Sequence, residues 1–221
     1  MIKVLDHGFV RLADSMGNDL SIVRAARVSY DAEWRTGTDA GSDSRLIRYL
    51  WRNKHTSPFE SVNFTFEVKA PIFVLRQWHR HRTWSYNEVS ARYAELPEEY
   101  YVPALEKITT QSTDNKQMRT DEEHPLAEAI ANTLRNSHRE MFTRYHELLE
   151  AGCPRELART LLPLSTYSRM FATVDLHNLF HFLRLRLHEH AQYEIRVYAE
   201  AMLKLIQPIV PIAVSAFMET T

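Results

Sequence analysis

The densest group of chemically active side chains lies in the stretch from Arg76 to Tyr93, which reads RQWHRHRTWSYNEVSARY. It contains four arginines, two histidines, two tryptophans and a single acid, Glu88. A guanidinium group binds phosphate or carboxylate through two parallel hydrogen bonds, and flat rings and guanidinium planes both stack on heterocycles. The stretch therefore predicts a pocket for flat, phosphorylated ligands. A solvated basic helix face has a similar composition, and composition alone does not separate the two.

Two further arginines, Arg159 and Arg186, lie within otherwise apolar segments, ARTLLPL and FLRLRLH. Burying a guanidinium group without an anionic partner costs several kcal/mol, on the order of the desolvation penalty of one ion. We therefore expect either that internal acids pair with these arginines or that the arginines face the anion of a ligand.

Several histidines are close enough in sequence to suggest a metal site, namely His79 and His81, His177 and His181, and His188 and His190. No HExxH or linked carboxylate–histidine pattern accompanies them. Arginine crowds each pair, and its charge would repel a divalent cation. We therefore predict no metal site and interpret these histidines as hydrogen-bonded residues of a pocket or of the core.

Nucleophilic catalysis finds little support in the sequence. The only cysteine, Cys153, lies between Gly152 and Pro154 with no candidate base near it in the sequence, which favours a structural role. Ser85 and Ser90 could act as nucleophiles, but the chain has no GxSxG elbow. We interpret their hydroxyl groups as ligand contacts.

Composition limits the class of protein. The 221 residues suffice for one core, so we predict a single domain spanning 1–221. The 27 Lys+Arg balance 28 Asp+Glu, which argues against a general nucleic-acid or membrane-surface binder. The chain has no signal pattern, no run of apolar residues long enough to span a bilayer and no pair of cysteines, so we expect a soluble, cytoplasmic protein.

Glycine is scarce, with five residues in the whole chain. Neither a GxGxxG turn nor a GxxxxGK[ST] loop occurs, and these are the usual glycine-rich cradles for nucleotide phosphates. Any nucleotide phosphate must therefore be held by side chains or by helix N-termini.

The first third of the chain predicts a mixture of strands and helices. Residues 2–13 alternate loosely and suggest two short strands or a hairpin. A helix is expected from Asp19, a loop over 31–43, and a second helix from about Asp43. Strict alternation over 62–69 predicts a half-buried strand.

Pro71 suits the first turn of a helix that we expect to continue to His81. This strand-to-helix step would bring Gln77, Arg80 and His81 to the far end of the helix. Gln77 and Arg80 are three residues apart, so they would share one helix face.

The second half of the sequence is predominantly helical. Residues 103–124 are polar and predict an exposed insertion or loop. A long amphipathic helix over 126–148 and a short one after Pro154 should follow, then a strand over 164–174. Asp175 is a good cap for a helical stretch of about thirty residues with a break near HEHAQ at 188–192. The apolar end of the chain is expected to pack on the core or on a neighbouring subunit.

The arginine-rich stretch resembles a family signature. Arg80, His81 and Arg82, then seven residues, then Ser90 match the RHR-x7-S pattern of the flavin-dependent thymidylate synthases. The resemblance covers nearly the whole chain, including the segments MGNDLSIVRAARVSY, HTSPFE, VKAPIFVLRQW, GCPRELARTLLPL and LRLRLHEHAQYE. It implies an α+β fold in which an antiparallel β-sheet is flanked by long α-helices, the thymidylate synthase-complementing protein fold.

The resemblance also implies ligand contacts, position by position. The expected FAD-binding residues are Ser57, Arg80, His81, Arg82, Asn87, Glu88, Asp175, Leu176, His177 and His181. The expected dUMP-binding residues are Gln77, Arg80, Glu88, Ser90, Ala91, Arg92, Arg159 and Arg186. The chain has Asp-Leu-His at 175–177 where some family members have asparagine-containing variants, so the side-chain contacts there depart from the pattern.

The family's reaction is the reductive methylation of dUMP to dTMP, with 5,10-methylenetetrahydrofolate as methylene donor and FAD reduced by NADPH as hydride source. The resemblance implies that Arg186 matches the family's arginine that contacts the uracil ring, so Arg186 is the expected catalytic residue. This agrees with the chemistry, because Cys153 is poorly placed to activate uracil and polarisation of the ring is the other route. The fixed charge of Arg186 can stabilise negative charge at N3 and O4 of the pyrimidine. The resemblance further implies a homotetramer with active sites between subunits.

Two other functions compete with this interpretation. The arginine and aromatic residues of 76–93 would suit a single-stranded RNA-binding module, although the neutral net charge argues against it. The second alternative is a metal hydrolase that uses the histidines as metal ligands. Metal analysis after chelation would test it.

Overall fold

A five-stranded antiparallel sheet forms the centre of the computed structural model, which describes residues 1–220. The strands of the chain are β1 (Ile2–Val4), β2 (Gly8–Met16), β3 (Asn63–Pro71), β4 (Ser85–Glu88), β5 (Thr109–Gln111), β6 (Arg119–Glu123) and β7 (Tyr167–Asp175). The large sheet has the order β1-β2-β3-β7-β4, and β5 and β6 form a separate hairpin. The predicted hairpin at the N-terminus and the predicted strands over 62–69 and 164–174 are confirmed.

Eight helices surround the sheet within residues 1–220: α1 (Asp19–Arg27), α2 (Ala40–Arg52), α3 (Ile72–Trp78), α4 (Ala127–Glu150), α5 (Arg155–Ala158), α6 (Leu176–Arg186), α7 (Tyr193–Ile206) and α8 (Pro211–Met218). The α+β fold class implied by the resemblance is confirmed. None of these helices is both long and apolar enough to cross a membrane.

The two central strands, β3 and β7, pair along their whole nine-residue lengths. Phe64, Phe66 and Val68 on β3 are fully buried, because alternate residues of a strand point to one face. The opposite face leaves Arg169 and Phe171 of β7 exposed. The core therefore lies on one face of the sheet, where α6 and α7 contact it.

The helical stretch that begins after Asp175 breaks as predicted. The Asp175 side chain accepts a hydrogen bond from the Asn178 main-chain N–H (2.9 Å) and caps α6. The α6 helix ends at Arg186, and α7 begins at Tyr193 after an irregular segment. This break places the end of α6 beside the end of α3, where Trp78 stacks on Phe182 with ring centroids 4.9 Å apart.

The prediction of a loop over 31–43 is wrong for its last residues. The α2 helix begins at Ala40, because the Asp39 side chain accepts a hydrogen bond from the Ser42 main-chain N–H and caps it. Asp43 is buried inside this first turn and pairs with Arg27 of α1 (2.7 Å). The ion pair joins the two helices and explains why a charged residue occupies that position.

The helix after β3 is shorter than predicted. Pro71 is the last residue of β3, and α3 ends at Trp78, so Arg80 and His81 follow the helix and do not lie on it. The main-chain N–H of His81 donates to the Trp78 carbonyl (2.9 Å) in a tight turn. The chain turns here because β4 must return to the edge of the sheet beside β7.

The polar segment 103–124 is also more ordered than predicted, since it contains the β5–β6 hairpin. The hydroxyl groups of Thr110 and Thr120 hydrogen-bond across the two strands (2.6 Å). A small apolar cluster of Ile108, Ala127 and Ala131 packs the start of the hairpin on α4.

Candidate active site

Arg186, the last residue of α6, makes two hydrogen bonds, one to the end of α3 and one to the turn that follows it. Its Nε donates to Nε2 of His81 (3.1 Å), and its Nη2 donates to the main-chain carbonyl of Gln77 (3.4 Å). No carboxylate of residues 1–220 makes a hydrogen bond or ion pair with Arg186. The sequence left two partners open for this half-buried arginine, an internal acid or the anion of a ligand. An internal acid is excluded within residues 1–220.

The contact with Arg186 fixes the protonation of His81. A guanidinium group has no acceptor, so Nε2 of His81 must carry the lone pair and the proton must lie on Nδ1. The pKa of His81 is lowered to about 4, mainly by burial and to a smaller extent by the charge of Arg186 and the neighbouring His181. His81 is therefore neutral at pH 7 and orients the guanidinium group as a hydrogen-bond acceptor. Burial also lowers the pKa of Arg186.

Aromatic side chains pack around the turn that carries His81. Phe182 of α6 contacts it edge to face, with ring centroids 4.9 Å apart. Tyr86 of β4 donates its hydroxyl hydrogen to the carbonyls of His81 (2.8 Å) and Trp78 (3.2 Å). Trp78 and Trp84 are buried and belong to the main core. Rigid neighbours of this kind hold a side chain in one rotamer.

A second group of predicted residues lies around Glu156 of α5. The Arg92 Nη2 atom is 3.7 Å from a carboxylate oxygen of Glu156, and Nε of Arg159 donates to the Glu156 carbonyl (3.3 Å). The Ser90 hydroxyl accepts a hydrogen bond from the Arg92 main-chain N–H (3.3 Å). Arg159 is exposed, contrary to the burial suggested by its apolar neighbours, because it follows directly after α5, a short helix at the surface.

The remaining residues of the signature point in several directions. Glu88 accepts a hydrogen bond from the Ser168 hydroxyl (2.7 Å) and lies 4.0 Å from Nε2 of His79. Arg80, Arg82 and Asn87 are exposed, whereas Ala91 is buried. No hydrogen bond or ion pair within residues 1–220 connects the Arg92–Arg159 group with the Arg186–His81 group.

Two of the predicted flavin residues on α6, His177 and His181, border a basic cavity of about 520 Å³. His177 and His181 line it together with Arg52, Lys54 and Arg184. Nδ1 of His177 is buried and has no hydrogen-bond partner within residues 1–220. Leu176 is fully buried, and Asp175 is engaged as the helix cap.

The turn that follows α2 contributes residues to this cavity and to a second, smaller cavity of about 330 Å³. Thr56 lines the larger cavity, while His55 and Ser57 line the smaller one beside Tyr30. Ser57 is exposed and is the next residue in the sequence after Thr56, which lines the His177 cavity.

Sequence reasoning missed three basic residues and a polar chain. Nothing in the spacing of Arg52, Lys54 and Arg184 signals that they line one cavity, since they come from separate elements. Gln192 lies in the break between α6 and α7 and contacts Gln77, and Glu194 of the first turn of α7 contacts Gln192. The available signal was an acid in the first turn of an apolar helix. Within residues 1–220, no group of three or more metal-ligating side chains is found.

Comparison with known proteins gives one consistent result. The family model "Thymidylate synthase complementing protein" matches residues 11–212. The chain is 52% identical over 217 residues to a flavin-dependent thymidylate synthase of Treponema denticola, covering 97% of this chain and 80% of that relative. It is 51% identical to a flavin-dependent thymidylate synthase of Thermus thermophilus, covering 99% of this chain and 78% of the relative.

Solved structures agree with the sequence matches. The fold is similar to that of a UMP/dUMP methylase from Streptomyces cacaoi bound with 5-bromo-dUMP, with a TM-score of 0.89 and 38% sequence identity. The match covers 99% of this chain and 97% of that chain. The same methylase bound with 5-bromo-UMP gives a TM-score of 0.87.

Proposed function

Since the chain belongs to the thymidylate synthase complementing protein family, we propose that it is a flavin-dependent thymidylate synthase that reductively methylates dUMP to dTMP. Its methylene donor is 5,10-methylenetetrahydrofolate and its reductant is NADPH. The observation that carries the proposal is Arg186, a half-buried guanidinium group without an acid partner in residues 1–220, held by a neutral histidine.

Arg186 is the catalytic residue in this proposal. Methylation at C5 of uracil requires electron density on that carbon, and a positive charge beside N3 and O4 stabilises the negative charge that the ring develops there. An internal carboxylate would neutralise that charge, and none contacts Arg186 within the described chain. His81 contributes by orienting the guanidinium group without adding or removing charge.

The remaining contacts to dUMP are assigned to one set of residues: Gln77, Arg80, Glu88, Ser90, Ala91 and Arg92, with Arg159. Arg92 and Arg159 suit the phosphate, because both are exposed and neither is held by a tight ion pair. A bidentate guanidinium–phosphate contact would replace the loose 3.7 Å approach of Arg92 to Glu156.

The basic cavity at the start of α6 fits a flavin cofactor. Its three cationic residues, Arg52, Lys54 and Arg184, suit a pyrophosphate, and the unpartnered Nδ1 of His177 is available to a polar ligand atom. A volume of about 520 Å³ falls within the range of ligand pockets. Reduced FAD, when bound, supplies the hydride for the reaction. The other proposed contacts are Ser57, Arg80, His81, Arg82, Asn87, Glu88, Asp175, Leu176 and His181.

We assign the working enzyme to a homotetramer with active sites between subunits. Within one chain, Arg186 and the Arg92–Arg159 group are not connected by any contact of residues 1–220. The exposed Phe171 on the open face of the sheet is the kind of apolar surface that a second subunit covers. Light scattering of the purified protein would test this assembly.

The flavin spectrum provides the decisive experiment. Purified chain is mixed with FAD and titrated with dUMP, with UMP as the comparison nucleotide, while flavin absorbance is recorded. We expect a saturable change with dUMP, and dTMP formation when NADPH and methylenetetrahydrofolate are added. Absence of flavin binding, or NADPH oxidation without dTMP, would refute the proposal.

The alternative of an RNA-binding module finds no support in the comparisons, where the family model and the quoted relatives are thymidylate synthases. A measured RNA affinity with a steep dependence on salt concentration would revive it.

A further inference from the structure

A chain of hydrogen bonds runs from the β5–β6 hairpin to Gln77, beside Arg186. Glu194 accepts from the Tyr101 hydroxyl (3.1 Å) and from Nη2 of Arg119 (2.9 Å) through one carboxylate oxygen. Its other oxygen accepts from Nε2 of Gln192 (2.9 Å). The Oε1 atom of Gln192 in turn accepts from Nε2 of Gln77. Three elements, β6, α7 and α3, thus meet in one polar chain.

We propose that Glu194 is a positioning residue that sets which end of the Gln77 side chain faces the nucleotide. A carboxylate only accepts hydrogen bonds, so the amide group of Gln192 must turn its NH₂ toward Glu194 and its carbonyl toward Gln77. Gln77 must then turn its own NH₂ toward Gln192. Its carbonyl oxygen is left free for a hydrogen-bond donor of the nucleotide, such as N3–H or a sugar hydroxyl. This inference rests on the proposed function.

Burial makes the carboxylate able to impose this direction. Glu194 is 2% exposed, whereas Gln192 is exposed and Gln77 is half-buried. In water an amide group rotates freely, but an ionised buried carboxylate with a charge-assisted partner rejects an incoming carbonyl oxygen strongly. The buried Glu194 carboxylate therefore sets the orientation of the Gln192 amide, which in turn sets the orientation of the Gln77 amide.

The stability of the fold does not require the hydrogen bond between Gln192 and Gln77. Arg119 neutralises Glu194, and its two carboxylate oxygens are satisfied by Tyr101, Arg119 and Gln192 without any contribution from Gln77. The contact between Gln192 and Gln77 joins two amides that water could satisfy equally well. It has a consequence only at Gln77, whose main-chain carbonyl also accepts the hydrogen bond from Arg186.

Glu194→Gln tests the direction of the chain without changing its shape. The new amide at position 194 keeps its carbonyl toward Tyr101 and Arg119 and turns NH₂ toward Gln192. Both glutamines downstream must then reverse, and Gln77 presents NH₂ to the nucleotide. We expect dUMP affinity to fall about five- to tenfold, as for loss of one hydrogen bond. Expected kinetics are a raised KM for dUMP with a smaller change in kcat.

The double exchange Gln192→Glu with Glu194→Gln provides the sharpest check. The amide at 194 then donates to the carboxylate at 192, which again accepts from Nε2 of Gln77, so the original direction returns. We expect dUMP affinity to recover to within about twofold, since every hydrogen bond of the chain is restored. A double exchange that binds dUMP no better than Glu194→Gln alone would overturn the proposal.

Glu200→Gln is the matched control, because Glu200 lies on the same helix and makes only an exposed contact with Arg196. It should leave dUMP affinity unchanged. If Glu194→Gln fails to fold, Gln192→Ala removes the side chain that directs Gln77 and lets its amide rotate, so dUMP binding should weaken, although less than with a reversed chain. Unchanged affinity in Gln192→Ala would also overturn the proposal.

The test separates failure of the inference from failure of the proposed function. Side-chain amide NMR signals of Gln77 and Gln192, assigned with alanine variants, report the direction of the chain without any nucleotide. We expect these signals to shift in Glu194→Gln and return in the double exchange. A wild-type protein that shows this pattern but does not bind dUMP would refute the function while leaving the chain intact. The opposite result, dUMP binding with signals that do not respond to Glu194→Gln, would refute the chain alone.

Discussion

Replacing Arg186 by alanine removes a positive charge that has no acid partner within residues 1–220. The variant loses two hydrogen bonds, to His81 Nε2 and to the Gln77 carbonyl. It breaks no ion pair and leaves no buried carboxylate unpaired, so the fold should tolerate it. Catalysis should not, because the charge is needed as the uracil ring becomes negative. The loss of one preorganised donor of this kind costs about 2.7–4 kcal/mol, or roughly 10²–10³ in kcat.

The same variant changes the titration of His81 in a direction fixed by the structure. Burial is the largest cause of its pKa of about 4, followed by the charges of Arg186 and His181. Removing Arg186 should therefore raise the pKa of His81 above 4 but leave it below its ordinary value of 6.5. A pKa that returned fully to 6.5 would mean that burial does not govern this histidine.

The titration has a consequence for stability. His81 has a lower pKa in the folded protein than in the unfolded chain, so between pH 6.5 and about 4 the unfolded chain binds more protons. Its contribution to stability is therefore present above pH 6.5 and is lost as the pH falls toward 4. At about 1.36 kcal/mol per pKa unit, the loss is at most about 3.4 kcal/mol. The Arg186→Ala variant should lose less stability on acidification, because the folded and unfolded pKa values of His81 lie closer together in it.

Three measurements check this reasoning. Chromatography of dTMP gives the turnover, NMR titration of the His81 ring gives its pKa, and urea unfolding at pH 7 and pH 5 gives the stability difference. Arg144→Ala, at an exposed position of α4, is the control and should change none of them. Turnover within about threefold of the wild type, far from the 10²-fold loss expected for such a donor, would remove Arg186 from the mechanism.

Two further substitutions test other parts of the molecule. Arg184→Ala should weaken FAD binding about tenfold, because it removes one charge from the basic cavity, while dUMP binding to the flavin-loaded protein stays within about twofold. Fluorescence titration measures the affinity for FAD. An unchanged affinity for FAD would place the flavin elsewhere. Asp19→Ala should destabilise the fold by about 1–3 kcal/mol in urea unfolding, because the buried Asp19 carboxylate accepts from the main-chain N–H groups of Ile212 (2.8 Å) and Ala213 (3.0 Å). Asn at position 19 should recover part of the loss, and equal losses for both substitutions would show that the carboxylate oxygens do not matter.

The sequence predicted elements whose signals are local. Alternation over 62–69 identified β3, and Asp175 before an apolar helical stretch identified the start of α6. The family resemblance supplied the fold class, because a long signature with fixed spacing is chemically particular. These signals depend on neighbours within a few residues, so no tertiary information was needed to detect them.

Other features depend on contacts between distant residues and left no local signal. The β4 strand has the sequence SYNE, in which exposed polar residues surround one partly buried tyrosine, and only pairing with β7 makes it a strand. The acceptor role of His81 depends on Arg186, which is 105 residues away. The exposure of Arg159 was misjudged because apolar neighbours in the sequence do not guarantee burial at the end of a short surface helix.

The pairing of β4 with β7 limits how the signature can vary in length. The four paired residues, Ser85 to Glu88, occupy most of the interval between Arg82 and Ser90. Adding or deleting one residue inside that interval would shift the strand by one position and turn every following side chain to the opposite face of the sheet. Glu88 would leave Ser168, and Ser90 would point away from its present side. Relatives that retain this strand should therefore tolerate substitutions within the interval far more readily than insertions or deletions.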